Sequence, residues 1–291
     1  MRIPLSLSLA ALFLLAGASA CARPATTPPA PQEAAYARTP GETLRYRKHS
    51  EWTVSDGLAG MPRSESRYRR DSRFAITFTG DGLARAWFES VRLESSGGSE
   101  PRTVQVAGDG VAGLPFVLSV GPRGSDSVVS TPGFPSDWRG LESQFNGFFP
   151  RLPGGPLTPG RAWTDSGTDE GGDTAFVTRS SRYIAYRVTS TERIRGADVV
   201  VVRYDGTFES EERWRKQPTG IGLDPYLMPA VVSHTQTEVH GTIYFAPRPG
   251  RIIRHTWTSE TFFSRPSGHV ESADQQTNAR VTVELISSPR G

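Results

Sequence analysis

The chain has 291 residues, of which 36% are hydrophobic and 10% aromatic. This composition is sufficient for a packed core and excludes a disordered protein. The formal net charge is only +3, and removal of residues 1–20 would take away Arg2 and leave +2, so no strongly basic surface points to a nucleic-acid partner.

Residues 1–20 have the order of a secretory signal peptide. Arg2 supplies the basic start, an uncharged stretch rich in Leu and Ala follows, and Ala18-Ser19-Ala20 provides small residues before Cys21. Because the densest apolar run, residues 9–16, is too short to span a bilayer, we expect cleavage rather than an uncleaved membrane anchor.

Cys21 is the only cysteine of the chain. The segment Leu15-Ala16-Gly17-Ala18-Ser19-Ala20-Cys21 resembles the lipobox of bacterial lipoproteins, in which the cysteine is acylated and becomes the mature N-terminus. Ala18 stands where a leucine is usual, and cleavage without acylation is the alternative. A lone exposed thiol is a liability in an oxidising compartment, which favours lipid attachment at Cys21.

Residues 21–41 are rich in Pro, Ala and Thr and show no apolar periodicity, so we predict an extended, lipid-anchored linker. The membrane partner is then reached through the N-terminal lipid. If the host has two membranes, Ala22 lacks the aspartate that such lipoproteins use for inner-membrane retention. The resemblance therefore implies an outer-membrane protein that faces the periplasm.

Residues 42–291 predict a single β-rich domain with a possible join of two halves near 150–160. Short alternating runs broken by Gly, Pro, Asp and Ser dominate this region, as in antiparallel sheets. The C-terminal runs 231–245, 251–263 and 269–286 predict a meander, and Pro247-Arg248-Pro249-Gly250 is one of its turns. The fold class is all-β, with a curved antiparallel sheet or incomplete barrel.

One segment interrupts the β pattern between Pro135 and Pro150. It predicts one short amphipathic helix, which is either a fixed cover of the sheet or a movable lid. Its bulky apolar residues recur at helical spacing and are the candidate ligand-binding residues: Trp138, Leu141, Phe145 and Phe148.

Three motifs that could suggest a cofactor or metal do not support one. Gly108-Asp109-Gly110-Val111-Ala112-Gly113 has the letters of a dinucleotide fingerprint, but a strand-like run rather than a helix follows. His234 and His240 are too far apart on one strand to share a metal. The acidic segment 165–173 lacks the spacing of a calcium loop and predicts a flexible hairpin loop. We expect no cofactor, no metal and no nucleic acid.

The predicted architecture is similar to that of the periplasmic lipoprotein-carrier and outer-membrane lipoprotein-receptor families, which present a concave apolar surface closed by helices. That resemblance implies a non-catalytic cell-envelope lipoprotein that binds a hydrophobic ligand or lipid through the concave sheet face. A structural or assembly partner in the envelope is the first alternative. A hydrolase with scattered catalytic residues is the second, although the chain has no recognised nucleophile motif.

Overall fold

The structure is a computed structural model. It describes residues 33–58, 63–97, 102–106, 110–124, 126–131, 133, 138, 141–145, 147–172, 176–214, 231–265 and 273–287. The predicted signal peptide, Cys21 and most of the predicted linker lie outside the described residues.

The described residues form one 12-stranded antiparallel sheet, which confirms the predicted all-β class. In chain order the strands are β1 (Thr43–Leu58), β2 (Ser64–Phe78), β3 (Leu83–Gly97), β4 (Thr103–Val106), β5 (Phe116–Val120), β6 (Asp126–Ser130), β7 (Ala162–Gly172), β8 (Phe176–Ile194), β9 (Ala197–Trp214), β10 (Val231–Ala246), β11 (Arg251–Arg265) and β12 (Ala273–Ser287).

The two chain halves each form a meander, and β1 joins them by pairing with β12. The strand order is β6-β5-β3-β2-β1-β12-β11-β10-β9-β8-β7, with β4 beside β3. Within the described residues β6 and β7 do not pair with each other, so the sheet is open. The predicted C-terminal meander and its turn at 247–250 are confirmed.

The sheet buries one face, which we call the inner face. On β1, Leu44, Tyr46, Lys48 and Ser50 are buried while the residues between them are more exposed, as the two-residue period of a strand requires. The core is richest in aromatic residues at the β1–β3 side, where Phe74 contacts Tyr46, Phe88 and other rings in stacked and edge-to-face arrangements.

In its described residues the predicted amphipathic helix is 3-10 rather than α-helical. The five residues Leu141–Phe145 form a 3-10 helix. Gly140 and Gly147 flank this segment, and glycine lowers helix propensity by about 1 kcal/mol. Because short α-helices are marginal, the tighter 3-10 form is typical of such brief segments.

The segment 147–161 crosses from the 3-10 helix to β7 and contacts both halves of the sheet. The Leu152 amide donates to the Arg123 carbonyl after β5, and the Gly160 amide donates to the Val188 carbonyl on β8. This segment covers part of the inner face and contains the region in which the sequence placed a join.

The folded body begins earlier than residue 42, where the sequence analysis placed it. Ala34 and Tyr36 are buried, and the Ala37 amide donates to the Gly250 carbonyl. Gly250 has a φ of +78°, and a Cβ there would meet the Ala35 carbonyl oxygen at 2.6 Å. The proline-rich composition of this segment did not predict the contact, because only two buried apolar residues, Ala34 and Tyr36, form it.

The acidic segment 165–173 is not the predicted loop in its described part. Asp165, Asp169 and Glu170 lie on β7, which pairs with β8 throughout. Arginines of β8 form ion pairs with two of these carboxylates, Arg182 with Asp165 and Arg179 with Glu170. Cross-strand pairs of opposite charge stabilise a hairpin whose composition alone suggests a loop. Asp173 lies outside the described residues.

Candidate functional site

A cavity of about 780 Å³ lies between the inner face of the sheet and the segment 147–151. This volume is within the range of about 300 to 1,000 Å³ that is typical of small-molecule sites. Its apolar wall comprises Ile184 on β8, Val239 on β10, Trp257 on β11, and Phe148 and Phe149 from the segment.

The strand register explains why the wall is apolar. Tyr204 on β9 is opposite Gly241 on β10, and Gly241 is opposite Trp257 on β11. Tyr186 on β8 continues the same row beside Tyr204. Aromatic side chains in one row across adjacent strands form a broad apolar surface.

Two polar groups of the cavity wall form a hydrogen bond with each other. The Tyr204 hydroxyl lies 2.8 Å from His255 Nε2, and both side chains are buried. Burial, together with the positive charge of Lys48, lowers the pKa of His255 to about 3. His255 is therefore neutral at physiological pH.

Lys48 on β1 is a buried cation in the same cavity. Its side chain is only 7% exposed, and its Nζ lies 5.3 Å from the centre of the Trp257 ring. Burial, and then the positive charge of Arg70, lower the pKa of Lys48 to about 7. Among the described residues, no carboxylate forms an ion pair with Lys48.

A buried carboxylate, Asp165 on β7, also lines the cavity. Its Oδ1 lies 3.3 Å from Arg151 Nη1, and its Oδ2 lies 3.4 Å from Arg182 Nε. Two guanidinium groups therefore compensate this carboxylate locally. In the strand order β7 is six strands from β1, so Asp165 and Lys48 belong to opposite sides of the site.

The structure divides the four sequence-predicted ligand residues between core and cavity. Leu141 and Phe145 are buried in the core, where Phe145 contacts Phe88 and Phe116. Trp138 is partly buried against that core. Phe148 is buried and also lines the cavity. Contact of these residues with a ligand stays a prediction.

The polar groups of the cavity were missed at the level of sequence. Lys48 shares the phase of Leu44 and Tyr46 on β1, which was the available signal, and it is one of only two lysines in an arginine-rich chain. The signal was obscured because Arg45 and Arg47 on the other face make Lys48 look like a third residue of an exposed basic cluster.

The opposite face of the sheet carries polar residues that pair with one another. His240 Nδ1 lies 2.6 Å from Asp205 Oδ1 on the neighbouring strand. Arg67 pairs with Glu65, and Arg69 pairs with Asp71. In the described ranges no group of three or more side chains is arranged to hold a metal ion.

The glycine-rich segment 108–113 is followed by a strand, as expected. Its described residues 110–113 form a turn, and the Gly113 amide donates to the Phe88 carbonyl. β5 begins at Phe116, so this segment has no following helix that could receive a pyrophosphate.

No family model matches the chain, and no curated protein matches it. Among solved structures, the chain is similar to a lipovitellin that was studied for its lipid–protein interactions, at 11% identity and a TM-score of 0.48; the match covers 88% of this chain but only 26% of that one. Pseudomonas aeruginosa OpdQ matches at 6% identity and a TM-score of 0.30, over 84% and 99% of the two chains.

A mutant of the Rh. blastica porin matches at 8% identity and a TM-score of 0.22, covering 82% of this chain and all of that chain, 100%. In the part of the chain that the structure describes, no helix is long and apolar enough to cross a membrane.

Proposed function

We propose that this protein is a non-catalytic cell-envelope lipoprotein that binds a hydrophobic ligand or lipid on the inner face of its sheet. The observation that carries this proposal is the cavity of about 780 Å³ with an apolar, largely aromatic wall. Burial of acyl methylenes there would contribute about 0.8 kcal/mol for each CH₂ group.

The Tyr204–His255 pair does not have the properties of a catalytic base and its orienting partner. A general base acts best when its pKa is near the working pH, but the pKa of His255 is about 3. Its hydrogen-bond partner is a tyrosine hydroxyl rather than an orienting carboxylate. The hydrolase alternative therefore receives no support from the Tyr204–His255 pair.

Membrane attachment through Cys21 is part of the proposal. The lipobox-like sequence and the absence of a second cysteine support acylation, and the proline-rich residues that follow would tether the body to the membrane. In a host with two membranes we expect the outer membrane, with the body in the periplasm.

Contact quenching of tryptophan fluorescence tests ligand binding at this site. Bromine atoms on an acyl chain quench tryptophans that they touch, and Trp257 lines the cavity. We expect 9,10-dibromostearic acid to quench the full chain saturably and to quench the Trp257→Phe variant much less.

The matched control is Trp87→Phe. Trp87 lies between the inward-facing Ala86 and Phe88 on β3, so its side chain is on the other face. This variant should retain the quenching of the wild type. Equal quenching of wild type and Trp257→Phe would place the acyl chain elsewhere and contradict the proposal.

A further inference from the structure

Lys48 is a buried cation that the described residues leave without an opposite charge. It stands on the inner face of β1, opposite Val283 of β12 and Ser72 of β2. Neither neighbour is ionisable. The Trp257 ring faces the ammonium at 5.3 Å, which offsets only part of the cost of taking a cation out of water.

A second cation lies near Lys48. Arg70 is on β2 and pairs with Ser50, the next residue after Lys48 on the inner face of β1. Its guanidinium lies 5.2 Å from the centre of the Trp52 ring. Arg70 Nε and the Ser50 hydroxyl are buried without a hydrogen-bond partner among the described residues. Unpaired hydrogen-bond donors and a second positive charge therefore lie beside Lys48 on the inner face.

The carboxylate of the cavity does not compensate these cations. Asp165 on β7 is already paired with Arg151 and Arg182. Buried charges in proteins are normally paired. An acidic group from outside the chain would provide the missing charge for Lys48.

The apolar wall continues from Lys48 along the sheet. Trp257 on β11 contacts the ammonium, Val239 lies on β10, and Ile184 lies on β8. Phe148 and Phe149 also line this cavity. One cavity therefore combines a cationic end with a long apolar surface, which is complementary to a molecule with an acidic head and a hydrocarbon tail.

From this arrangement we infer that the ligand is an anionic amphiphile, an acyl chain with one acidic head group that pairs with Lys48 while the chain lies along Trp257 and Val239. The inference rests on the proposed function, because it specifies the chemistry of the ligand in the same cavity. Charge-assisted pairing of the ammonium with the acid sets the specificity, and the tail supplies apolar burial.

Two ligands with the same tail separate the inference from the proposed function. Oleate and oleyl alcohol differ only in the head group, so we would measure the dissociation constant of each for the full chain by titration calorimetry at pH 6. Because only the acid can form a charge-assisted hydrogen bond with the Lys48 ammonium, oleate should bind about tenfold or more tightly than the alcohol.

The Lys48→Met variant should remove this preference. Methionine keeps the length of the side chain without its charge, so we expect oleate to weaken about tenfold or more and oleyl alcohol to change little. Arg85→Met is the matched control, because it removes one positive charge at an exposed residue of β3. It should leave both affinities unchanged. Circular dichroism of each variant verifies that the sheet is retained.

The outcomes distinguish the two claims. If oleate and the alcohol bind equally, or if Lys48→Met weakens both equally, the inference of an anionic head group is wrong, although the proposed binding of a hydrophobic ligand is supported. If neither ligand binds the wild type, the proposed function fails as well. Oleoyl lysophosphatidate, tested in parallel, identifies the source of the acid: tighter binding than oleate indicates a phospholipid phosphate, and weaker binding indicates a fatty-acid carboxylate.

Discussion

The Tyr204 hydroxyl reaches His255 Nε2 at 2.8 Å across an intervening strand. Tyr204 is on β9 and His255 is on β11, and β10 lies between them. The ring can cross because Gly241 is its partner on β10 and leaves the inner face open at that point. The polar pair of the cavity wall therefore depends on the absence of a side chain at Gly241.

We predict that Gly241→Ala destabilises the fold. A Cβ at Gly241 would overlap the Tyr204 ring, which would force the ring away from His255. Overpacking and the lost hydrogen bond should together lower the free energy of unfolding by about 2 to 4 kcal/mol, measured by chemical denaturation. Gly171→Ala on β7 is the control, because a Cβ there has no neighbour within 4 Å. Equal stability of the two variants would show that Tyr204 is not confined by Gly241.

Phe145 should behave as a core residue rather than a movable lid residue. It is 1% exposed and contacts Phe74, Phe88 and Phe116. Phe145→Ala should lower the free energy of unfolding by about 3 to 5 kcal/mol. Phe262→Ala is the comparison, because Phe262 is 47% exposed, and this variant should differ much less from the wild type. A loss below about 1 kcal/mol for Phe145→Ala would mean that the 3-10 segment packs loosely.

The sheet was predictable because two-residue alternation and glycine or proline turns are local signals. The runs at 43–54, 183–194 and 231–245 all lie within observed strands. The pairing of β1 with β12 was not predictable in this way, because it joins residues more than 200 positions apart, such as Lys48 and Val283. That pairing places only β12 between Lys48 and Trp257 on β11, and it creates the cationic end of the site.

The candidate site was only partly predictable for the same reason. Of the aromatic residues at helical spacing, Phe148 lines the cavity, and its contact with a ligand stays a prediction. The wall partners Tyr204, His255 and Trp257 come from strands whose register decides which side chains meet. Spacing within one strand does not contain that register.

His255 should make the protein sensitive to moderate acid. In the unfolded chain a histidine takes up a proton near pH 6.5, but in the folded protein the pKa of His255 is about 3. Between these values the unfolded state binds more protons, so stability falls as pH decreases. From pH 6.5 to 4.5 we expect a loss approaching 1.4 kcal/mol per pH unit, measured by urea denaturation, and a flatter profile for His255→Gln. Identical profiles would mean that His255 is protonated in the folded state.

Cys21 should determine membrane attachment. Fractionation of cells should find the wild type with membranes and Cys21→Ala in the soluble fraction, because the acyl chains would be missing. Mass spectrometry of the mature N-terminus checks the chemistry directly. An unmodified cysteine at that terminus, or a Cys21→Ala protein that stays with membranes, would rule out the lipid anchor and leave ligand binding by the body to be judged separately.

Lys48 should lower the free energy of unfolding of the ligand-free protein. Burial and the charge of Arg70 lower its pKa to about 7, whereas an unfolded lysine keeps its proton to about pH 10.4. Below pH 7 the folded protein therefore holds an unfavourable buried charge. Lys48→Met should raise the free energy of unfolding at pH 6 by a few kcal/mol, because one pKa unit corresponds to about 1.4 kcal/mol.

The lowered pKa of Lys48 determines how the free energy of unfolding changes with pH. Between pH 7 and 10 the unfolded wild type binds more protons than the folded one, so wild-type stability rises with pH, and the advantage of Lys48→Met should shrink from pH 6 to pH 9. Arg85→Met should show no such pH-dependent advantage. Saturating oleate should stabilise the wild type more than Lys48→Met, because only the wild type presents the ammonium to the acid. If Lys48→Met is instead less stable at pH 6, the contact of Lys48 with Trp257 is a structural support and not a binding feature that the fold maintains at a cost.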